Sequence, residues 1–576
     1  MISPFHIKPN HIISKQYGER GEIEYGWSNN IKDWILQFYF QLIRCNNDHL
    51  DNLEIKLRDM LYYLMHAIRI SPKIIKEDYK RYLILLFKMI GQTRDIVDGK
   101  GERNLTYMMI TVWYDFYPEL AFFALNCLND DLYFQHTYGS WKDIKYFCNY
   151  CKEKKGNEGH PLIKECIKII NFQLILDYYS INKISLLAKW IPREKSKKFG
   201  WLFCYLAYDY FNYYIQSAKN LYSLYNAKNK CKSNYRTMIS YLNAKIGTLE
   251  RLQCSHEWSS INFNNITSLA LHKQKKAFLK DDGDEDRKNC RENFKNYILN
   301  TNHQRIKMNC KHVGMNNFTK NACNLLNELE KKNETENWVL EKDFLNQQWK
   351  ENSLSTNDLG YIIPIIDVSS SMLGDPLDAA IALGIRVAEK SSLGKRIIIL
   401  GSSATCVNLE DKTTFIEMVQ EIRKNELGIN SNLYSGLDLI VDAILETKME
   451  PSQVHNLSII IFSDMQVDSL NSIYQTSLFE KIKEKFVNAG IRLHKKPFNV
   501  PHLIFWNLRS TNGFPCLSRE NNTTMLSGYS SSLLNRLSKQ GLNILGEKNP
   551  WFSLEEILNN KRYSILEDKA REIVNK

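Results

Sequence analysis

Two apolar runs in the second half of the chain, Tyr361–Met372 (YIIPIIDVSSSM) and Leu457–Met465 (LSIIIFSDM), each close on an aspartate. Their isoleucine-rich, non-alternating character is that of strands covered on both faces, as in a parallel sheet, where no polar face has to meet solvent. Strands of this kind are expected at 361–367, 396–401, 457–463, 502–508 and 523–527, with helices at 376–391, 413–424, 434–447, 473–489 and 531–540. The regular alternation predicts an α/β, doubly wound parallel sheet over residues 353–576.

The residues that follow the first run carry the chemistry. Asp367, Ser369 and Ser371 are spaced by two, so an extended chain projects all three to one side. That side is the carboxyl end of the sheet, where open α/β folds place their ligands. Hard oxygen donors gathered there suit a hard divalent cation, Mg²⁺ before Mn²⁺ or Ca²⁺, with Mg²⁺ held at about 2.1 Å. Three donors are too few, and the sequence supplies more: Asp464 ends the second run, and the polar turn Gly428–Tyr434 (GINSNLY) offers Asn430 and Ser431. The alternative reading is that Asp and Ser merely cap the helix after the strand.

This set resembles the metal-ion-dependent adhesion site of the von Willebrand factor A fold, whose pattern is Asp-x-Ser-x-Ser, then a Thr, then an Asp. The resemblance implies that Ser369, Ser371 and Ser431 ligate directly and that Asp367 and Asp464 act directly or through water. Ser431 stands where Thr is usual, losing the methyl that stiffens χ1. Ser370 stands where many relatives have Gly.

The first half differs in composition. Residues 1–350 carry 52 Lys and Arg against 38 Asp and Glu, a balance of +14, whereas the remainder balances at −2. From about Trp34 apolar residues recur at steps of three and four, as in Leu53, Leu57, Met60, Leu61, Leu64 and Ile68. This predicts an all-α, helical-repeat domain over residues 1–352. Its basic balance points to a polyanion such as structured RNA, with ordinary lysine-rich solvation as the alternative.

Three polar stretches interrupt the helices. Arg94–Asn104 (RDIVDGKGERN) pairs Gly99 and Gly101 with Arg94, Lys100 and Arg103, which suits an anion nest, although an inter-helix turn stitched by salt bridges is the favoured reading. In Tyr138–Asp143 (YGSWKD), Trp141 reads as a core anchor. Lys189–Lys198 (KWIPREKSKK) sets Lys189, Arg193, Lys195, Lys197 and Lys198 beside Trp190 and is the best single candidate for phosphate contacts. Asp281–Asp286 (DDGDED) lacks the calcium-loop spacing. Thirteen cysteines in no paired framework suit a reducing compartment. Cys148 and Cys151 form a lone CxxC for which His160 and Cys166 are the only nearby zinc-type companions, and a structural role is favoured. Neither a signal-type apolar core nor a membrane-length apolar run occurs, so a soluble, intracellular protein is expected.

Taken together, RDIVDGKGER, YGSWKD, AKWIPRE, AFLKDD, IDVSSSM, FSDMQVD, IFWNLR and LSGYS resemble a two-domain family of uncharacterised proteins from plants, fungi and giant DNA viruses. The architecture is also distantly similar to the TROVE proteins, in which a helical ring that binds RNA joins a von Willebrand A domain. These resemblances imply a non-enzymatic scaffold that binds RNA through the helical half and, through the metal, a protein partner supplying an acidic residue. A purely protein-interaction or virion-associated structural module is the alternative. A metal-dependent hydrolase is disfavoured, because no His, Lys or Cys accompanies the site residues and His455, His494 and His502 are isolated.

Overall fold

The computed structural model describes residues 15–18, 23–129, 137–181, 184–280, 283–302, 313–331, 335–401, 403–425, 432–466, 478–540 and 549–575. The two apolar runs form adjacent central strands. With β1 (Lys15–Tyr17) and β2 (Ile23–Tyr25) as a small antiparallel pair, the main sheet comprises β3 (Ile362–Asp367), β4 (Arg396–Leu400), β5 (Ala404–Asn408), β6 (Ser458–Ser463), β7 (His502–Asn507) and β8 (Thr523–Ser527). Its order is β5-β4-β3-β6-β7-β8, parallel throughout except for β5. The winding reverses between β3 and β6, which makes the carboxyl ends of these two strands the topological switch point. Pro364 is tolerated in a central strand because β4 pairs with β3 only from Ile365 onward.

The all-parallel expectation therefore needs one correction. β5 returns antiparallel beside β4 and covers the sheet edge, and its residues, ATCVN, are mostly exposed. A half-solvated edge strand has no continuous apolar run to announce it.

The boundary expected at residue 352 also differs from the structure. The chain divides into two compact units, Met1–Met89 with Cys310–Glu567, and Ile90–Asn309 with Asp568–Lys576. The physical reason is coverage of the sheet. In the helix Ile31–Gln41, Ile35, Leu36, Phe38, Tyr39 and Phe40 are all buried. At its end Ser527 Oγ donates to the Tyr39 carbonyl at 3.3 Å, Asn507 Nδ2 to the Phe40 carbonyl at 3.3 Å, and the Thr511 amide to Gln41 Oε1 at 2.9 Å. In the helix Glu336–Ser353, Trp349 stacks on Phe415 at 4.0 Å, with the buried Arg386 guanidinium 4.3 Å from its ring. Arg386 also donates to the Asn352 carbonyl at 3.3 Å.

The unit Ile90–Asn309 is helical among its described residues. Successive helices pack on their chain neighbours: Trp141–Lys155 on Pro161–Tyr179, that helix on Gly200–Tyr210, and the last on Leu221–Ile246. The apolar stretch Leu105–Phe123 is two helices, broken at Tyr117–Pro118, where proline cannot continue the first. No helix among the described residues is long and apolar enough to cross a membrane.

Candidate functional site

The register of the sheet brings the two aspartates together. Ile366 pairs with Phe462, which leaves Asp367 and the Ser463–Asp464 step side by side at the switch point. Ser463 Oγ donates to Asp367 Oδ2 at 2.8 Å, and the Ser369 amide donates to Asp367 Oδ1 at 2.9 Å. Both carboxylates are buried, Asp367 being 1% and Asp464 0% exposed. Burial, and then the neighbouring charge of Asp464, push the Asp367 carboxyl up to about 6.

Beyond Ser369 the chain does not stay extended as expected; it tightens into a 3₁₀ turn, Ser370–Met372. The turn still delivers the second hydroxyl, with Ser369 Oγ and Ser371 Oγ 3.1 Å apart. It also accommodates Ser370 without the left-handed backbone that would call for glycine.

Asp464 is held by a short loop: the Gln466 amide donates to its Oδ1 at 3.2 Å, and the Met465 amide to Ser463 Oγ at 2.9 Å. Met465 adopts φ +63, a left-handed conformation that is unfavourable by about 1 kcal/mol for a side chain of this kind. The other oxygen, Asp464 Oδ2, is buried with no hydrogen bond among the described residues. Among the described residues the cation paired with it is Arg509 Nη1 at 3.7 Å, which donates a hydrogen bond to the Ser371 carbonyl at 3.1 Å.

Ser431 and Asn430 lie outside the described residues. The helix that follows them, Leu433–Glu446, is placed by Gly436, where an added Cβ would meet Leu400 Cδ2 at 2.6 Å. Leu400 is the register partner of Asp367, so this helix packs on the strand next to β3. Gly436→Val is expected to lower stability by about 1–3 kcal/mol. A urea unfolding midpoint equal to that of the wild type would contradict this packing.

Sequence reasoning missed Ser463 and Arg509. A serine directly before a strand-terminal aspartate and the arginine two residues past β7 were the available signals.

In the helical unit the candidate anion-binding residues separate. Arg94 is corrected from a phosphate contact to a structural ion pair: its Nε and Nη2 donate to Asp143 Oδ1 at 2.9 Å and Oδ2 at 2.8 Å, and Nη1 donates to the Gly101 carbonyl at 3.2 Å. Asp143 is 0% exposed and accepts further from Tyr107 Oη at 2.8 Å and the Ser140 amide at 2.8 Å. Lys100 is likewise buried, its amine pushed well below the usual lysine range by desolvation, so it is not an open phosphate ligand. The reading of Arg94–Asn104 as a turn stitched by a salt bridge holds, because charge in a sequence does not reveal burial.

Arg103 is half-buried, with its guanidinium 5.7 Å from the Tyr146 ring. Lys189 pairs with Glu250 at 2.9 Å. Arg193, Lys195, Lys197 and Lys198 are exposed in the loop beside Trp190, where Glu194 instead pairs with Lys232 and Arg236. Trp141 is half-buried at the start of its helix rather than a core anchor. Cys148, Cys151 and Cys166 are buried, with Cys151 Sγ 3.5 Å from His160 Nδ1. No group of three or more His, Cys, Asp or Glu among the described residues is arranged to hold a metal.

Residues 171–356 match a domain of unknown function, DUF2828, and residues 362–562 match a second, DUF7788. The uncharacterized protein L728 of Acanthamoeba polyphaga mimivirus is 26% identical over 485 residues, covering 78% of this chain and 76% of that protein. The crystal structure of the RO (RSR) protein of Deinococcus radiodurans, 8% identical, is covered in full and spans 89% of this chain with a TM-score of 0.34. At that score it is a likeness on which no argument rests. The chain is thus similar, in two consecutive stretches from residue 171 to 562, to two domains whose function is unassigned, and it shares most of its length with a giant-virus protein.

Proposed function

We propose that this protein is a non-enzymatic binding scaffold. Its sheet unit is read as von Willebrand A-like, with Asp367, Ser369, Ser371 and Asp464, joined by Ser431, forming a metal-ion-dependent adhesion site. The observation that carries this reading is the buried Asp464 Oδ2, which has no hydrogen bond among the described residues, stands 3.7 Å from Arg509 Nη1 and lies beside a second buried carboxylate. Two carboxyl groups buried together are unfavourable unless a cation balances them. An all-oxygen donor set of this kind fits Mg²⁺, with Mn²⁺ or Ca²⁺ as substitutes.

When bound, the ion supplies a coordination position that an acidic side chain of a protein partner completes. The chain's own residues do the rest. Ser463 and the Ser369 amide fix the Asp367 carboxylate, Ser369 and the 3₁₀ turn that follows it present the two hydroxyls, and Arg509 flanks the rim. A hydrolytic reading is disfavoured by where the histidines point: His494 Nε2 meets the Met449 carbonyl at 2.9 Å, and His502 Nε2 meets Thr524 Oγ1 at 2.9 Å.

Titrating the full chain with Mn²⁺ and following free ion by electron paramagnetic resonance tests the site. One equivalent should bind, and Ser369→Ala combined with Ser371→Ala should weaken it by at least about tenfold. Unchanged binding in that variant overturns the assignment.

A second activity is proposed for the helical unit, the binding of structured RNA. It is supported by the excess of 17 Lys and Arg over 7 Asp and Glu in residues 151–250 and by the exposed loop at Arg193–Lys198. RNA affinity should fall steeply as salt rises. Chelating the divalent ion should abolish partner binding and spare RNA binding. No RNA binding even at low salt favours a protein-interaction or virion-associated structural module instead.

A further inference from the structure

A cluster of cations in the helical unit gathers around three aromatic rings, and among the described residues no carboxylate forms an ion pair with it. Lys142 Nζ lies 5.3 Å from the Tyr146 ring and 5.3 Å from the Trp190 ring. Lys145 Nζ lies 5.6 Å from Tyr146, 5.4 Å from Trp190 and 5.3 Å from Phe199. Tyr146 and Phe199 themselves meet edge to face at 5.3 Å. Arg103 lies 5.7 Å from the Tyr146 ring and Lys198 lies 5.8 Å from the Phe199 ring.

These cations crowd one another. Desolvation, and then the positive charges of Arg103 and Lys273, hold the Lys142 amine below its ordinary range, and desolvation followed by Lys142 does the same to Lys145. Asp143, whose charge offsets theirs only in part, is turned inward and held by Arg94, Tyr107 and Ser140. None of Arg103, Lys142, Lys145 and Lys198 forms an ion pair with a carboxylate among the described residues.

The backbone adds to the imbalance. Lys142 and Lys145 sit in the opening turns of the helix Trp141–Lys155, where the dipole is positive and acidic side chains are favoured. Folding thus concentrates like charge at an unfavourable place, an arrangement that an external anion would relieve. Trp190 leads through Pro192 into the exposed cations Arg193, Lys195, Lys197 and Lys198, so the charge continues as a track longer than one phosphate needs.

We propose that Arg103, Lys142 and Lys145, seated on Tyr146, Trp190 and Phe199, form the anchoring contact for the phosphodiester backbone of an unpaired stretch of that structured RNA, which then follows the Arg193–Lys198 loop. This rests on the RNA-binding reading above and names the site that performs it. Cations packed on half-buried aromatic faces serve both parts of a strand, its phosphates and its unpaired bases.

Fluorescence anisotropy of the full chain with a labelled oligouridylate, across a salt series, tests the site. In Lys142→Gln/Lys145→Gln the affinity at low salt should fall at least about tenfold, and the slope of log affinity against log salt should flatten by about 1.4, two single-strand phosphate contacts. The exposed control Lys219→Gln should leave both unchanged. The double variant should unfold at an equal or higher temperature than the wild type, because it removes repulsion. Loss of binding together with loss of stability would make the cluster structural and overturn the proposal, as would an unchanged slope in a wild type that does bind. Binding of anionic vesicles with no oligouridylate binding also overturns it. A wild type that binds no RNA of any kind at low salt instead defeats the underlying reading.

Discussion

Asp143→Ala is expected to destabilise the helical unit by about 3–5 kcal/mol, a large share of what holds a domain folded. The carboxylate is fully buried and accepts from Arg94, Tyr107 and Ser140. Its removal strands the Arg94 guanidinium, 5% exposed, with the Gly101 carbonyl as its one remaining hydrogen-bond partner among the described residues and Glu102 acting on it by charge alone. Replacing both partners, as Arg94→Met with Asp143→Leu, should recover most of the loss, because no buried charge is then left alone. Arg94 holds the Asp143 carboxyl below its ordinary range of 3.8 although burial opposes this. The stabilisation is therefore complete above the ordinary carboxylate range and is lost as pH falls through the lower, folded-state value. Chemical denaturation of the three variants checks this; a loss under about 1 kcal/mol for Asp143→Ala would mean the pair behaves as a surface salt bridge.

Asp464→Asn should separate binding from stability in the sheet unit. Divalent-ion affinity is expected to fall at least about 100-fold, since a charged ligand is removed outright. In chelator the same variant should be more stable than the wild type at pH 7, because Asp367 no longer faces a second carboxylate. The sign follows from Asp367, whose folded value of about 6 lies above the ordinary 3.8. The folded protein holds that proton more tightly, so wild-type stability in chelator rises as pH falls through 6 towards 4 and is lost again as pH climbs. The penalty at neutral pH is about 3 kcal/mol, and only the part due to Asp464 disappears in the variant. Equal pH profiles for the two proteins, followed by thermal unfolding, would show that the carboxylates do not interact.

The strands that carry the candidate site were legible because their burial on both faces writes an unbroken apolar run, as at Ile362–Ile366 and Ser458–Phe462. β5 was not, since half its residues face outward, and neither were β1 and β2, at three residues each. The partition of the chain was illegible for a different reason. An apolar helix such as Ile31–Gln41 reads the same whether it lies against helices or against β8, and only the fold tells which. Charge was the least informative signal. Arg94 and Lys100 look like surface cations in sequence and are buried, whereas nothing in the sequence marks Lys142, inside YGSWKD, and Lys145 as crowded together, which they are.

The bonds between the Ile31–Gln41 helix and β7 and β8 bear on how the chain is made. The carbonyls of Tyr39 and Phe40 meet their donors only when Asn507 and Ser527 have left the ribosome, roughly half a minute to a minute and a half later at ordinary elongation rates. Throughout that interval an intensely apolar segment is without the surface it was selected to cover. Nascent chains stalled before residue 500 should therefore expose it to chaperones or to one another, and synthesis speed becomes a variable in the yield of folded protein.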